Sequence, residues 1–269
     1  IAEMLPGLLN GADRDLVNIL YSGIKNSFES ILLETKIISV KAKPSGFKVK
    51  LQEKDKKITE MNFESVLVSA GRKPNSSNLG LENTGVKVNE KGFIITDNQT
   101  RTSVKNIFAI GDVAGEPMLA HKASHEGRIA AEVIAGHKSV FEPKTIPAVV
   151  FTDPEIAWCG VTETEAKIKN LDYTVSKFPW AASGRALTLG RTDGLTKLII
   201  DNKTERIIGV GIAGPNAGDL ISEGVLAIEM GANATDLRLS IHPHPTLSET
   251  IMESAEVFFG QSTHIFKPK

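Results

Sequence analysis

The sequence predicts a chain of mixed class, α/β in its first half and α+β in its second. Three observations carry that expectation. A helix and an antiparallel meander lead into Ser65-Val66-Leu67-Val68-Ser69-Ala70-Gly71, a short apolar run of the kind a buried parallel strand presents. A strand, a Gly-Asp step and a long helix follow between Ile107 and Ile134. Past Pro143 the pattern changes to short strands and helices around a different core.

In order along the chain, residues 13–33 read as an amphipathic helix with Asp13 as N-cap. Ile37–Lys41 and Phe47–Leu51 alternate in polarity around Pro44-Ser45-Gly46, which predicts a hairpin, and Lys57–Met61 supplies a third strand. The apolar run at 65–71 ends in the polar loop Gly71-Arg72-Lys73-Pro74-Asn75, where a boundary is expected. Residues 92–96 and 106–110 read as strands, and Met118–Ile134 as a helix that Gly136 stops. Ala123, Gly127 and Ala131 recur every four residues, so one face of that helix can approach another backbone closely. Strands are expected at Ile146–Thr152 and Ile156–Cys159, followed by a short helix opened by a Thr162/Glu165 capping box. Leu195–Ile200 and Arg206–Ile212 form a second hairpin, Ala217–Met230 a long helix ended by Gly231, and a helical turn lies near Asp236. The last helix runs to Phe259, with Thr246 and Glu249 at capping-box spacing.

Composition narrows the function. With 269 residues, 41% hydrophobic and 23% charged, the chain can bury a full core in more than one domain. A formal net charge of −1 and no basic block argue against nucleic acid as a partner. No apolar run approaches a membrane span and no signal peptide is visible, so a cytoplasmic protein is expected. The only cysteine, Cys159, lies between apolar neighbours and reads as a buried structural thiol, which leaves no cluster for a metal. The chain opens at Ile1 on a segment resembling the tail of an element, so a piece of a longer protein is expected.

Three places hold candidate chemistry. In His242-Pro243-His244-Pro245-Thr246-Leu247-Ser248-Glu249 the prolines stiffen the segment that presents His244. Glu249, five residues on, could hold one ring nitrogen and leave the other to take a proton. On spacing alone, Glu249 as a helix cap and His244 as a surface histidine are the favoured readings. Asp112, just past a strand end, could accept a hydrogen bond from a sugar hydroxyl, with the helix behind it offering N–H groups to an electron-rich ring. It could also simply cap a turn. Gly71 is either a point where a ligand meets backbone or a tight turn.

Three stretches together resemble a known family. Thr102-Ser103-Val104-Lys105-Asn106-Ile107-Phe108-Ala109-Ile110-Gly111-Asp112, with Pro117-Met118-Leu119-Ala120-His121, is similar to the second flavin motif of the two-dinucleotide-binding-domain disulfide reductases. Phe178-Pro179-Trp180-Ala181-Ala182-Ser183-Gly184-Arg185-Ala186 and His242 through Glu249 resemble the dihydrolipoamide dehydrogenase family of bacterial type. The resemblance covers essentially the whole chain as the C-terminal portion of such an enzyme.

It implies roles residue by residue. His244 matches the catalytic base and Glu249 the carboxylate that orients it; Asp112, Gly111 and Ala120 fall in the FAD site; Gly71 and Ile37 fall on the NAD side. His242 has no catalytic counterpart and reads as local structure. The layout implied is residues 1–72 as the end of a Rossmann-like NAD-binding domain, 73–143 as a central FAD-contacting domain, and 144–269 as an interface domain that forms a homodimer. His244 would then serve the active site of the opposite subunit. The family's redox cysteine pair and both glycine loops would lie upstream of Ile1, so the chain by itself is expected to be inactive. In the intact enzyme electrons would pass from dihydrolipoamide, carried on the lipoyl domain of a 2-oxo acid dehydrogenase complex, through a disulfide and FAD to NAD⁺. A related disulfide reductase or transhydrogenase, or a non-enzymatic dimerisation module, remain alternatives.

Overall fold

The computed structural model describes residues 1–265, divided into two compact units: residues 1–67 with the chain from Lys144 onward, and residues 68–143. The first unit opens with helix α1 (Arg14–Ile24), which buries Leu16, Val17 and Leu20. The helix ends nine residues short of the expected Leu33. Strands β1 (Lys36–Lys43), β2 (Gly46–Gln52) and β3 (Ile58–Phe63) form the expected antiparallel meander in the order β1-β2-β3.

The second unit is built on helix α2 (Ala120–Ile134) and a short 3-10 turn at Gly111–Val113. The strands expected at 92–96 and 106–110 are reduced to the isolated bridges Val88–Ile94 and Arg101–Phe108. The buried parallel strand expected at 65–71 is not formed. Leu67 and Val68 are 93% and 77% exposed, and among the described residues no strand pairs with them. A parallel strand is stable only when neighbours satisfy its backbone and cover both faces, and an apolar run cannot supply those by itself.

The remainder of the first unit is a five-stranded antiparallel sheet in the order β4-β5-β8-β7-β6. Strand β4 (Ala148–Val150) and β5 (Ile156–Gly160) are followed by α3 (Glu163–Ile168), whose Thr162/Glu165 capping box has both of its hydrogen bonds. Strand β6 (Tyr173–Pro179) and helix α4 (Gly184–Leu189) come next; neither was expected from periodicity, because β6 alternates weakly and α4 is under two turns long. The hairpin β7 (Leu195–Asp201) and β8 (Ile207–Ala213) leads to α5 (Ala217–Met230), which stops at Gly231 in the left-handed conformation as expected. Two more helices, α6 (Ala234–Leu239) and α7 (Glu249–Phe258), complete the chain.

The sheet buries both faces. Leu198, Ile200, Val210 and Ile212 join Ile221, Leu237, Leu247, Ile251 and Ala255 of the following helices in the larger core. On the other side α1 packs Leu16, Val17 and Leu20 against Ile156 and Ala213. Gly211 permits that approach, since a Cβ there would stand 2.7 Å from Leu16 Cδ1.

A buried ionic cluster fixes α1 to the sheet. Lys197, with 1% of its side chain exposed, reaches Asp13 at 2.8 Å and Asp15 and Glu163 at 3.1 Å. Asp13 does not cap its own helix. Its carboxylate accepts from the backbone N–H groups of Glu163 and Thr164, at the start of α3, at 2.9 and 3.3 Å. Burial alone would lower the Lys197 pKa, but the hydrogen bond it donates to Asp13 and the charge of Asp15 raise it overall. Lys197→Met should therefore cost about 3–5 kcal/mol in urea unfolding, because it strands a buried carboxylate. Lys54→Ala, which breaks the exposed pair with Glu34, should change stability by less than about 1 kcal/mol in the same assay.

Candidate active site

Helix α7 is placed by a directional chain of buried hydrogen bonds. Trp180 Nε1 donates to Thr196 Oγ1 at 2.9 Å, the Thr196 and Thr250 hydroxyls meet at 2.8 Å, and Thr250 Oγ1 donates to the Leu247 carbonyl at 2.7 Å. The Ser254 hydroxyl lies 3.1 Å from the Thr196 carbonyl and 2.8 Å from that of Thr250, and Ser176 donates to the Ser254 carbonyl at 2.6 Å. The first turn of α7 is thereby tied to β6 and β7 without using any side chain at the surface. Thr196 and Thr250 were invisible to motif reading, since nothing local marks their pairing.

The helix begins at Glu249, two residues later than a Thr246 cap would set it. Only one half of the expected capping box is present: Glu249 Oε2 accepts from Thr246 N at 2.7 Å. The Thr246 hydroxyl instead donates to the Pro243 carbonyl at 2.7 Å and meets Ser248 Oγ at 2.9 Å. The other oxygen of Glu249 lies 2.9 Å from His244 Nδ1. One carboxylate therefore both fixes the backbone before the helix and orients the imidazole. With Nδ1 committed as the donor to a carboxylate, Nε2 keeps its lone pair. The His244 side chain is 68% exposed, whereas that of Glu249 is 17% exposed.

His242 is held differently. Its Nδ1 lies 2.9 Å from the Ser240 carbonyl and its Nε2 2.7 Å from Glu223 Oε1. Both neighbours only accept, so both ring nitrogens must donate and the ring is an imidazolium. The hydrogen bond to Glu223 raises the His242 pKa above 6.5, more than burial lowers it.

In the second unit, Gly111, Asp112 and Ala120 gather where α2 begins. Gly111 adopts φ +72°, and a Cβ there would lie 3.0 Å from Ala123 Cβ, so the small-residue face of α2 meets the Gly-Asp step as its spacing implied. Gly111 N donates to Glu126 Oε2 at 2.6 Å, and Lys122, paired with Glu126 at 2.7 Å, donates to the Gly115 carbonyl at 3.3 Å. Sequence reading missed this buried pair; the i,i+4 Lys-Glu spacing was its one signal. Asp112 and Ala120 are exposed, and no side chain caps the helix at Leu119. An open helix N-terminus beside an exposed carboxylate fits a ligand with sugar-alcohol hydroxyls and an electron-rich ring.

Gly71 lies at φ +106° with nothing within 4 Å of where its Cβ would be, so ligand can approach its backbone. Arg72 Nη1 donates to the Met118 carbonyl at 2.9 Å, which ties this loop to the approach of α2. Ile37, 43% exposed on β1, belongs to the first unit. Cys159 is buried, and burial pushes its thiol up to about 12, which suits the structural role expected and not a redox one. Among the described residues no group of three or more His, Cys, Asp or Glu could hold a metal ion, and no helix is long and apolar enough to cross a membrane.

Two family profiles match the chain: "Pyridine nucleotide-disulphide oxidoreductase" over residues 1–127 and "Pyridine nucleotide-disulphide oxidoreductase, dimerisation domain" over 146–255. The chain belongs to the pyridine nucleotide-disulphide oxidoreductase family. It is 49% identical to the dihydrolipoyl dehydrogenase of Vibrio cholerae over 98% of this chain and 56% of that protein. The dihydrolipoyl dehydrogenase of Buchnera aphidicola subsp. Schizaphis graminum is also 49% identical, over 100% of this chain and 56% of its own length. Among solved structures, LpdA from Mycobacterium tuberculosis superposes with a TM-score of 0.86 at 26% identity, covering 96% of this chain and 55% of that one. The chain spans about half the length of the curated relatives it matches.

The His242 environment makes a signed prediction. A folded pKa above 6.5 means that its stabilisation is fully present below 6.5 and is lost as pH rises through the raised value. In a histidine NMR titration His242 should lose its proton above the ordinary range, and Glu223→Gln should bring it down. An unchanged titration in that variant would show that Glu223 is not the cause.

Proposed function

We propose that the chain supplies the acid–base pair and part of the cofactor surface of a dihydrolipoyl dehydrogenase, an enzyme that oxidises a protein-bound dithiol and reduces NAD⁺. The observation that carries this reading is the divided carboxylate of Glu249, with one oxygen on His244 Nδ1 and the other on Thr246 N. His244 Nε2 takes the proton of a substrate thiol: the S–H bond breaks, an N–H bond forms, and the thiolate is left as nucleophile. Glu249 stabilises the resulting imidazolium and holds its ring in place. The disulfide that this thiolate attacks involves residues outside this chain, because Cys159 is its single cysteine.

In this reading Asp112, Gly111 and the open N–H groups at Ala120 would hold FAD, Asp112 by accepting from one of its hydroxyls. Bound flavin supplies two-electron transfer between dithiol and nicotinamide. Gly71 and the apolar surface of Ile37 lie on the NAD side. The layout is residues 1–72 for NAD, 73–143 for FAD and 144–269 for a homodimer interface, and the match to a dimerisation domain over 146–255 supports the last of these. The lipoyl domain of a 2-oxo acid dehydrogenase complex is the partner, and the cytoplasm the compartment. The high identity to dihydrolipoyl dehydrogenases favours this reading over another disulfide reductase of the same fold.

Two outcomes test it. In the intact enzyme, His244→Gln should lower lipoamide turnover by about 10²–10⁴-fold while flavin absorbance is retained. The 269-residue chain alone should give no lipoamide-dependent NADH formation. Full turnover by the variant would remove His244 from the mechanism, and turnover by the chain alone would mean that the disulfide and the flavin loop are dispensable.

A further inference from the structure

Helix α7 carries a second imidazole–carboxylate pair one turn beyond the first. Glu253, with 4% of its side chain exposed, is bonded through Oε1 to His264 Nδ1, and its Oε2 accepts from Ser262 Oγ at 2.8 Å. The segment after the helix thus folds back and sets a second histidine beside α7. His264 is in the same state as His244: Nδ1 is held by a glutamate, among the described residues no hydrogen bond engages Nε2, and 46% of the side chain is exposed. Both histidines line one small pocket with Ser183, Thr250, Glu249 and Glu253. Its volume is about 10 Å³, the size of a single water site, and its lining offers that water several polar partners.

We propose that His264 is a proton-relay residue that acts through His244 by way of one water molecule in this pocket. The inference rests on the reading above, in which His244 takes a thiol proton facing another copy of the chain and must lose it again in each cycle. The imidazolium of His244 gives its proton to the pocket water, and that water passes one of its own protons to His264 Nε2. The Nε2–H bond of His264 then breaks and its proton passes to solvent, while Nδ1–H stays on Glu253. No electrons move, and the water and both neutral rings are restored. Glu253 has the part for His264 that Glu249 has for His244: it fixes the tautomer and stabilises the charged ring in transit. Glu249 and Glu253 are the acidic groups on the pocket wall, and the two histidines are its only basic ones.

His264→Gln in the intact flavin-loaded enzyme is the decisive variant, because glutamine can still hydrogen-bond Glu253 but cannot relay a proton at neutral pH. Lipoamide turnover at saturation should fall about tenfold or more, with KM, flavin content and dimer state unchanged. Added imidazole buffer should restore it in proportion to concentration, which a merely structural defect would not allow. A wild-type rate in the variant, or a fall that buffer does not rescue, would overturn the proposal. A high-resolution crystal structure gives a readout apart from activity. It should contain one ordered water within hydrogen-bond reach of both imidazoles, and a dry pocket would also overturn the relay. If the unmodified enzyme turned over no lipoamide at all, the functional reading would fail, and the crystal structure alone would then decide whether the water site exists.

Discussion

The position of Glu249 governs the candidate site. Its two oxygens serve two requirements at once, the backbone N–H of Thr246 and the ring of His244, and neither would be met if α7 began elsewhere. The start of α7 is in turn set from below by the Trp180–Thr196–Thr250–Leu247 chain, whose side chains are buried in the sheet–helix core. In such a chain each donor polarises the next, and every polar atom is satisfied, so the network is rigid at little desolvation cost. The aromatic motif around Trp180 therefore contributes to the site although Trp180 itself is fully buried.

The same logic of shared carboxylates holds the first unit together. Asp13 satisfies two N–H groups at the start of α3 and also faces Lys197, which gathers Asp15 and Glu163 as well. One buried cation among three acids would be ruinous if a member were missing. Intact, it locks residues far apart in sequence into one core. The charge cluster and Gly211 act together: the glycine lets α1 come close, and the lysine fixes its position along the sheet.

What was legible in the sequence follows from how local each cause is. The α5 boundaries, the Thr162/Glu165 box and the β1–β2 hairpin rest on signals within a few residues, and all are present. The pairing of His244 with Glu249 was readable too, because five residues separate them and a helix start fixes the distance. Asp13 misled because its own helix offered a local partner while a distant one, at the head of α3, won it. The run at 65–71 misled for the opposite reason: its composition is that of a buried strand, but burial depends on neighbours that composition cannot supply. Glu126 under Gly111 and Glu253 under His264 escaped notice because a carboxylate facing inward looks, in a string of letters, like one facing water.

His242 and His244 show how far environment outweighs residue type. They share a side chain, a following proline and a segment, yet they are chemically distinct. His242 lies between a carbonyl and a carboxylate, so both nitrogens are spent as donors and no lone pair is left to receive a proton. His244 has one acceptor and an open edge, which is the arrangement a base requires. The charge on His242 also lies within reach of Glu249, whose field helps to keep it protonated. An imidazolium anchored at one end of the segment and a carboxylate at the other leave His244 between two fixed points. Its orientation is thus decided before any substrate arrives, and little of the binding energy is needed to order it.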